Sequence, residues 1–206
     1  MSRIITVNRE FGSGGRELGR RLAEELGVAY YDKEVIRAIS ERSSLAESYV
    51  EQVVERHIVS YYPITVASTF AYVPHDAAGQ INRNIYAAQA DVVREMAEKS
   101  DCVIVGRCAD HILREYRPLN IFVYADMPSK IARCRARGGD GPELSDKELQ
   151  KQIQNIDRHR ARYYGTYTGH VWGDRLGYDI CVNTTNADIK RLAKAIAGLV
   201  AEEEKE

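Results

Sequence analysis

The chain has 206 residues, a length that suits one domain with a sizeable core. Its formal net charge of −1 argues against bulk attraction to nucleic acid or to anionic membranes, so an anion site must come from local arginine placement. No apolar run is long enough to span a bilayer, and the N-terminus has no signal-peptide pattern. We therefore expect a cytoplasmic protein with no membrane or nucleic-acid partner.

The predicted elements alternate along the chain. A strand at 4–7 leads into a glycine-rich turn and a helix. The strands are predicted at 4–7, 29–31, 102–105, 121–124 and 180–182. The helices are predicted at 16–26, 33–40, 84–99, 129–137, 147–164 and 187–203. Apolar strands separated by amphipathic helices indicate an α/β fold with a parallel sheet covered on both faces.

The first turn is the most informative segment. It contains Gly12, Ser13, Gly14 and Gly15, between a strand and a helix. Glycines let backbone N–H groups approach an anion, and a helix N-terminus adds partial positive charge, so the layout predicts a phosphate-binding loop. The alternative is an ordinary strand-to-helix turn.

This loop departs from the P-loop pattern G-x-x-x-x-G-K-[ST] at its two chemically active positions. Gly15 and then Arg16 stand where the lysine is expected, and Glu17 replaces the Ser or Thr that binds magnesium. Arg16 could supply the missing cation, and Glu17 could hold Mg²⁺ as a charged oxygen ligand. Glu17 could instead repel a triphosphate.

Arginines recur on two predicted helices. Arg133 and Arg137 lie four residues apart, as do Arg158 and Arg162. These pairs flank the glycine- and acid-rich connector 138–148. We expect them to close over phosphate groups, with the connector part of a mobile lid; the alternative is a solvated charged face.

Polar residues also follow the strands, where ligands of parallel sheets bind. Gly106 and Arg107 come directly after the strand at 102–105, and Asp32 and Arg37 follow the second strand. A crevice-facing arginine that binds the acceptor is one interpretation of Arg107. A structural salt bridge is the other.

Cysteines and histidines give no sign of a metal site. None of the four cysteines forms a C-x-x-C pair, and the five histidines lack ligand spacing. We predict free thiols in a reducing compartment and no metal-binding histidine.

The whole chain resembles the nucleoside monophosphate kinases, and within them the bacterial cytidylate-kinase-like family of P-loop proteins. The residues that carry the resemblance are REFGSGGRE at 9–17, ELGVAYYDKEVI at 25–36, CVIVGRCADHIL at 102–113, NIFVYADMPSKIARCRAR at 120–137, IDRHRARYYGTYTG at 156–169 and YDICVNTT at 178–185. The loop is the most specific of these segments.

The resemblance implies a three-layer P-loop NTPase-type fold in a single domain, 1–206. Residues 33–83 are expected to form a substrate-binding helical insertion, and 133–163 the lid region; the alternative is surface decoration. The implied activity is phosphoryl transfer from ATP, with Mg²⁺, to a nucleoside monophosphate, giving CDP or dCDP from CMP or dCMP.

The resemblance also assigns site residues by their place in these motifs. ATP and its metal are assigned to Gly12, Ser13, Gly14, Gly15, Arg16, Glu17, Asn183 and Thr184, with Glu17 as the metal-positioning residue. The acceptor is assigned to Gly106, Arg107 and Arg37, and the position of Asp32 after the second strand adds it to this set. Catalytic charge neutralisation is assigned to Arg16, Arg133, Arg137, Arg158 and Arg162.

Two alternatives stay open. The rewritten loop also suits a nucleotide- or phosphate-binding protein without turnover. A weaker option is a scaffold that binds phosphate only adventitiously, in which the tyrosines at 49, 61, 62 and 72 form a subunit interface of a homo-oligomer.

Overall fold

A computed structural model describes residues 3–56, 75–137 and 144–202 of the chain. Five strands form one sheet in the order β2-β3-β1-β4-β5, and every adjacent pair is parallel. The strands are β1 (Ile4–Arg9), β2 (Ala29–Tyr31), β3 (Cys102–Val105), β4 (Leu119–Tyr124) and β5 (Ile180–Asn183). The predicted α/β fold with a parallel sheet is confirmed.

The eight α-helices of the described residues lie between and after the strands. They are α1 (Gly15–Leu26), α2 (Lys33–Ser43), α3 (Glu47–Glu51), α4 (His75–Lys99), α5 (Ala109–Ile112), α6 (Met127–Arg137), α7 (Asp146–Thr168) and α8 (Ile189–Glu202). A π-helix, Gln52–Arg56, follows α3, and short 3₁₀ helices cover Arg114–Tyr116 and Arg175–Gly177. None of these helices is both long and apolar enough to cross a membrane.

The sheet has an apolar core on each face, because successive strand side chains point to opposite sides. On one face, Ile5 and Val7 pack with Leu18 and Leu22 of α1 and with the apolar side of α8. On the other face, Ile4 and Ile104 join residues of α2, α4, α5 and α7. This two-sided burial explains why the strands read as continuous apolar runs.

The predicted boundaries differ from the observed ones mainly at polar ends. β1 continues two residues beyond the predicted end, to Arg9, because β4 remains its partner there. Helix α4 begins at His75 rather than at residue 84, and α3 and the π-helix lie inside the predicted insertion. Residues 57–74 of that insertion and 138–143 of the predicted mobile connector are outside the described residues, and so are three of the four tyrosines of the predicted interface.

The start of α7, a helix of the predicted lid, is set by its local sequence. Ser145 is its N-cap and accepts from the Glu148 N–H, while the Glu148 carboxylate accepts from the Ser145 N–H. This capping box fixes the first turn of α7 just after the connector. Because α7 runs back to the sheet, its inner side reaches the loop that follows β1.

Candidate active site

The predicted phosphate loop forms at the carboxyl end of β1. Gly12 and Gly14 have φ angles of 75° and 84°, in the region that favours glycine. Helix α1 then begins at Gly15, and no side chain caps its N-terminus. The N–H groups of a first helical turn have no backbone partner within the helix, and such a helix start favours an anion. The Gly15 N–H contacts Ser13 Oγ at 3.4 Å.

The side chain of Arg9 explains why glycine stands at position 15. A Cβ built on Gly15 would lie 2.5 Å from the Arg9 Cβ, and one on Gly106 would overlap the Arg9 guanidinium. Arg9 is 7% exposed and passes between these two glycines. A lysine at position 15 has no room beside it. In this chain the buried strand-end arginine therefore fills the space beside the position where the P-loop pattern has lysine.

We expect Gly15→Ala to lower the free energy of unfolding by about 1–3 kcal/mol, since overpacking displaces Arg9. The matched control is Gly198→Ala in α8, where no atom lies within 4 Å of the new Cβ. That control should be neutral or stabilising by up to about 1 kcal/mol, because alanine favours helix. Urea unfolding of both variants measures the difference. Equal effects would contradict the packing role of Gly15.

Four guanidinium groups converge on one carboxylate, that of Glu55 in the π-helix. Arg107 Nη2 lies 2.6 Å from Glu55 Oε1, Arg9 Nη2 at 3.3 Å and Arg16 Nη2 at 3.6 Å from the same oxygen. Arg160 Nη2 contacts Glu55 Oε2 at 3.2 Å. Arg9 comes from β1 and Arg16 from α1. Arg107 follows the end of β3, and Arg160 belongs to α7. Glu55 thus joins the loop after β1, the turn after β3 and helix α7.

The charge of Glu55 is set by two opposing effects. Burial favours the neutral acid, but attraction to Arg107, Arg9, Arg160 and Arg16 outweighs burial and holds the pKa of Glu55 well below its ordinary value of 4.5. For Arg9, burial and then repulsion from Arg160 lower the pKa. The cluster therefore carries a net positive charge even with Glu55 ionised.

The backbone after β3 is strained at the residue that carries the central guanidinium. Gly106, Arg107 and Cys108 have φ angles of 72°, 63° and 51°. Such angles are uncommon for residues with a Cβ and persist where other contacts hold them. Gln89 Nε2 donates to the Arg107 carbonyl at 2.9 Å and fixes this turn. The strain directs Arg107 into the crevice.

Three buried N–H donors without a protein acceptor belong to residues that line one cavity. Among the described residues, Asn8 Nδ2, Arg107 Nε and Arg160 Nε lack a hydrogen-bond partner. All three residues line one cavity together with Arg9, Tyr163 and Trp172. Unpaired buried donors are costly, so their convergence indicates a site for an anion. The cavity adjoins the loop cavity, because both are lined by Arg9, Glu55 and Arg160.

Helices α6 and α7 contact the loop through Lys130 and Asp157, together with Glu10 of the loop itself. Lys130 Nζ of α6 lies 2.7 Å from Glu10 Oε2 and 3.1 Å from Asp157 Oδ2 of α7. Asp157 Oδ1 in turn accepts from the Phe11 N–H at 2.6 Å. Burial raises the pKa of Asp157, against the opposing hydrogen bond from Phe11 and the charge of Lys130. The Phe11 N–H, one amide of the loop, is thus occupied by the Asp157 carboxylate of α7.

Arg16 and Glu17 are each paired within the protein. Arg16 Nε lies 2.6 Å from Asp32 Oδ2, and Asp32 is buried at the end of β2. Glu17 Oε1 accepts from Arg21 Nε at 2.8 Å, one turn further along α1. Arg16 therefore bridges the loop to Asp32 at the end of β2, whereas Glu17 is paired along the surface of α1.

Two further predicted residues meet the loop from its other side. Thr184 is fully buried, and its Oγ1 donates to the Ser13 carbonyl at 2.6 Å. Arg133 donates to the Thr184 carbonyl and to Thr184 Oγ1. Thr184 thus ties the loop to β5 and α6. Asn183 beside it is exposed, with Oδ1 accepting from the Thr185 N–H.

Other predicted residues lie apart from the cluster. Arg37 is 70% exposed in its side chain and lies 3.6 Å from Glu47. Arg158 bonds to Asn155 and Gln154 on the exposed side of α7, and Arg162 is also exposed. Arg137 lines the loop cavity.

Sequence reasoning missed Asn8, Arg9, Glu55 and Arg160. For Arg160 a signal was present, because it shares a helical stripe with Ile153, Asp157 and Tyr164. Arg158 and Arg162 fall outside that stripe.

Comparison with solved structures shows that the chain shares its fold with kinases of known structure. Three similar structures illustrate this. Shikimate kinase from Bacteroides thetaiotaomicron is 16% identical, with a TM-score of 0.59 over 98% of this chain and 99% of that one. Shikimate kinase from Acinetobacter baumannii, in complex with shikimate, is 15% identical, with a TM-score of 0.56 over 100% and 97%. An uncharacterized protein from Eubacterium ventriosum is 25% identical, with a TM-score of 0.67 over 97% and 98%.

The family follows from the sequence. The chain belongs to the cytidylate kinase-like family, whose profile matches residues 4–186. Among curated proteins, none matches it. Family membership, with the kinase fold, supports a phosphotransferase of the nucleotide or small-molecule kinase type.

Proposed function

We propose that the protein transfers the γ-phosphoryl group of ATP to a nucleoside monophosphate, with CMP or dCMP as the acceptor. The observation that supports this most is the cavity in which Asn8, Arg107 and Arg160 present unpaired buried donors. A phosphate monoester has the charge and the acceptor oxygens that such donors need. Arg107 and Gly106 hold the acceptor phosphate in this proposal, and Asp32 positions Arg16 beside it.

The ATP phosphates bind at the loop. First-turn N–H groups of α1 and the glycines at 12, 14 and 15 surround the β-phosphate, with Ser13 held by Thr184. Arg137 of the lid lines the same cavity, and Arg133 lies beside Gly14. Asn183, exposed after β5, is on the side of the adenine.

Arg9 supplies the cation that the loop lysine provides in other P-loop kinases. Its guanidinium lies between the two cavities, so it faces both the transferred group and the acceptor. Arg160 has the matching role on the predicted lid. It stacks over Phe11, with 5.7 Å between its guanidinium carbon and the ring centre. Arg16 adds charge at the acceptor side.

The donor set suits a magnesium ion held mostly by phosphate oxygens. No group of three or more His, Cys, Asp or Glu residues in the described part of the chain could hold a metal alone. Mg²⁺ commonly binds through one or two carboxylates, water and substrate phosphates, and Glu17 in the first turn of α1 is the carboxylate we assign to it. When bound, the ion neutralises charge on the β- and γ-phosphates.

In the reaction, an acceptor phosphate oxygen attacks the γ-phosphorus, and the bond from that phosphorus to the β–γ bridging oxygen breaks, releasing ADP. The protein's part is positioning and charge neutralisation. Arg107 orients the attacking group, while Arg9 and Arg160 stabilise charge on the transferred group. Glu55 holds these arginines together before the substrate phosphates arrive.

A nucleotide-binding protein without turnover is the second candidate. It is favoured by one observation: Glu55 contacts all four arginines, so a counter-charge from the protein already occupies the centre of the cluster. In that case a nucleotide would bind and displace Glu55 with no chemistry following.

A coupled ATP-consumption assay across nucleoside monophosphates, with calorimetric binding in parallel, separates the two candidates. The kinase proposal expects turnover with CMP or dCMP, and Arg107→Ala should weaken acceptor binding by about 1.5–3 kcal/mol, the value of a charge-assisted contact. The matched control Arg37→Ala, exposed on α2, should leave it unchanged. Binding without turnover for every acceptor would favour the second candidate, and unchanged binding by Arg107→Ala would overturn the acceptor site.

A further inference from the structure

A second cavity, of about 340 Å³, lies at the opposite end of β4 from the phosphate loop. It is bounded by the segment after α7 and by the end of α5 with the turn that follows. Its lining includes Asp110, His111, Arg114, His170, Asp174 and Tyr178. Asn120, near the start of β4, forms its inner wall. It shares one lining residue, Tyr164, with the cavity of Arg107, whose lining also includes Trp172.

The chemistry of this cavity is opposite to that of the arginine cluster. Asp110 is 7% exposed, and its Oδ1 has no hydrogen-bond donor among the described residues. Its Oδ2 accepts from the Tyr164 hydroxyl at 2.6 Å, which holds the carboxylate in place at the cavity wall. A buried carboxylate oxygen without a donor is a costly feature that a ligand N–H would relieve.

The remaining lining favours a flat, partly apolar ligand. The rings of His111 and His170 lie 5.7 Å apart at 58°, beside Tyr178. Burial, and then the charge of Arg114, lower the pKa of His111, which keeps this imidazole neutral. At the rim, Val171 and Leu176 are 73% and 87% exposed. Aromatic walls and an apolar rim around a few polar groups are typical of small-molecule sites.

The charged groups that line this cavity favour a ligand with a positive charge. Asp110 and Asp174 contribute two carboxylates, whereas Arg114 is the cation of the lining and donates to the His111 carbonyl at 3.1 Å. We propose that this cavity is a second ligand site, which takes a small planar nitrogen base bearing a cationic N–H group, such as an amidine or an amino-substituted heterocycle. The site is independent of the proposed kinase reaction.

Benzamidine, tested against benzoate by isothermal calorimetry on the full chain, is the direct probe. The two compounds share one ring size and differ in charge and in N–H donors. We expect benzamidine to bind and benzoate not to bind. Asp110→Asn should weaken benzamidine at least about 10-fold, the loss expected for one charge-assisted hydrogen bond. The control Asp91→Asn, exposed on α4, should not change it.

Two further measurements keep the test decisive if Asp110→Asn folds poorly. His170→Trp changes an exposed residue and places a larger ring at the cavity, so it should abolish benzamidine binding. Saturating CMP and ATP should leave benzamidine affinity within about twofold, since this cavity shares one lining residue, Tyr164, with the cavity of Arg107 and none with the loop cavity. No binding to the unmodified chain, equal binding by both variants, or competition with CMP would overturn the second site. Kinase activity does not enter these readouts.

Discussion

Replacing Glu55 with glutamine is expected to lower the free energy of unfolding by about 3–5 kcal/mol, the cost of removing one partner from buried ion pairs. Arg9, Arg107 and Arg160 would lose their shared counter-charge, and all three side chains are at most 10% exposed. Chemical unfolding of the parent and the variant measures the loss. A variant that unfolds at the parental midpoint would contradict this role of Glu55.

The Glu55→Gln substitution should also make stability depend on added anion. Phosphate binding to the uncompensated arginines stabilises the folded state by mass action, so inorganic phosphate should raise the unfolding midpoint of Glu55→Gln more than that of the parent. Glu47→Gln, an exposed change on α3 near Arg37, is the matched control and should show the parental response. Equal phosphate responses in all three proteins would argue against Glu55 as the internal counter-ion of an anion site.

Acid should erase the difference between parent and variant. Because the folded-state pKa of Glu55 lies below its ordinary value of 4.5, its stabilising contribution is complete above about pH 4.5 and is lost as pH falls toward the folded value. The protonated acid then resembles glutamine. Unfolding free energies measured from pH 7 downward should therefore converge below about pH 4.5.

The layout of the fold could be predicted from local patterns. Continuous apolar strands, amphipathic helices and the glycine turn at 12–15 are short-range signals, and each depends on a few neighbouring residues. The strand-end position of Arg107 was equally readable, because parallel strands bring their carboxyl ends to one edge. Boundaries such as the end of β1 at Arg9 depended instead on the pairing of β1 with β4.

The composition of the site was less predictable, because its key contacts join distant segments. Glu55 reaches Arg9 across 46 positions and Arg160 across 105, from a π-helix that no periodic pattern indicated. The need for glycine at position 15 also becomes clear only once Arg9 is seen beside it. For Arg158 and Arg162 the i, i+4 spacing was correct, but the apolar stripe of α7 turns a different residue, Arg160, toward the loop.

Helix α7 therefore allows a matched test of catalysis, in which three arginines of the same helix are replaced one at a time. Arg160→Ala should lower kcat by about 10²–10³-fold, the loss typical of removing one preorganised donor to transition-state charge. Arg160 Nη1 donates to the Arg9 carbonyl at 3.1 Å, and Arg160 Nη2 contacts Glu55. Arg160 therefore lies between α7, the loop and the proposed acceptor cavity. Arg158→Ala and Arg162→Ala change exposed arginines and should stay within about threefold of the parent.

Steady-state kinetics with ATP and CMP, with unfolding free energies for each variant, make this comparison decisive. Arg160→Ala should reduce kcat more than it raises the KM of either substrate, because the charge it stabilises develops only in the transition state. Arg160→Lys should recover only part of the rate, since an ammonium group cannot replace the guanidinium fork that contacts both the Arg9 carbonyl and Glu55. If Arg158→Ala or Arg162→Ala abolishes turnover while Arg160→Ala retains it in a folded protein, the exposed face of α7 is the catalytic one and the assignment of Arg160 fails.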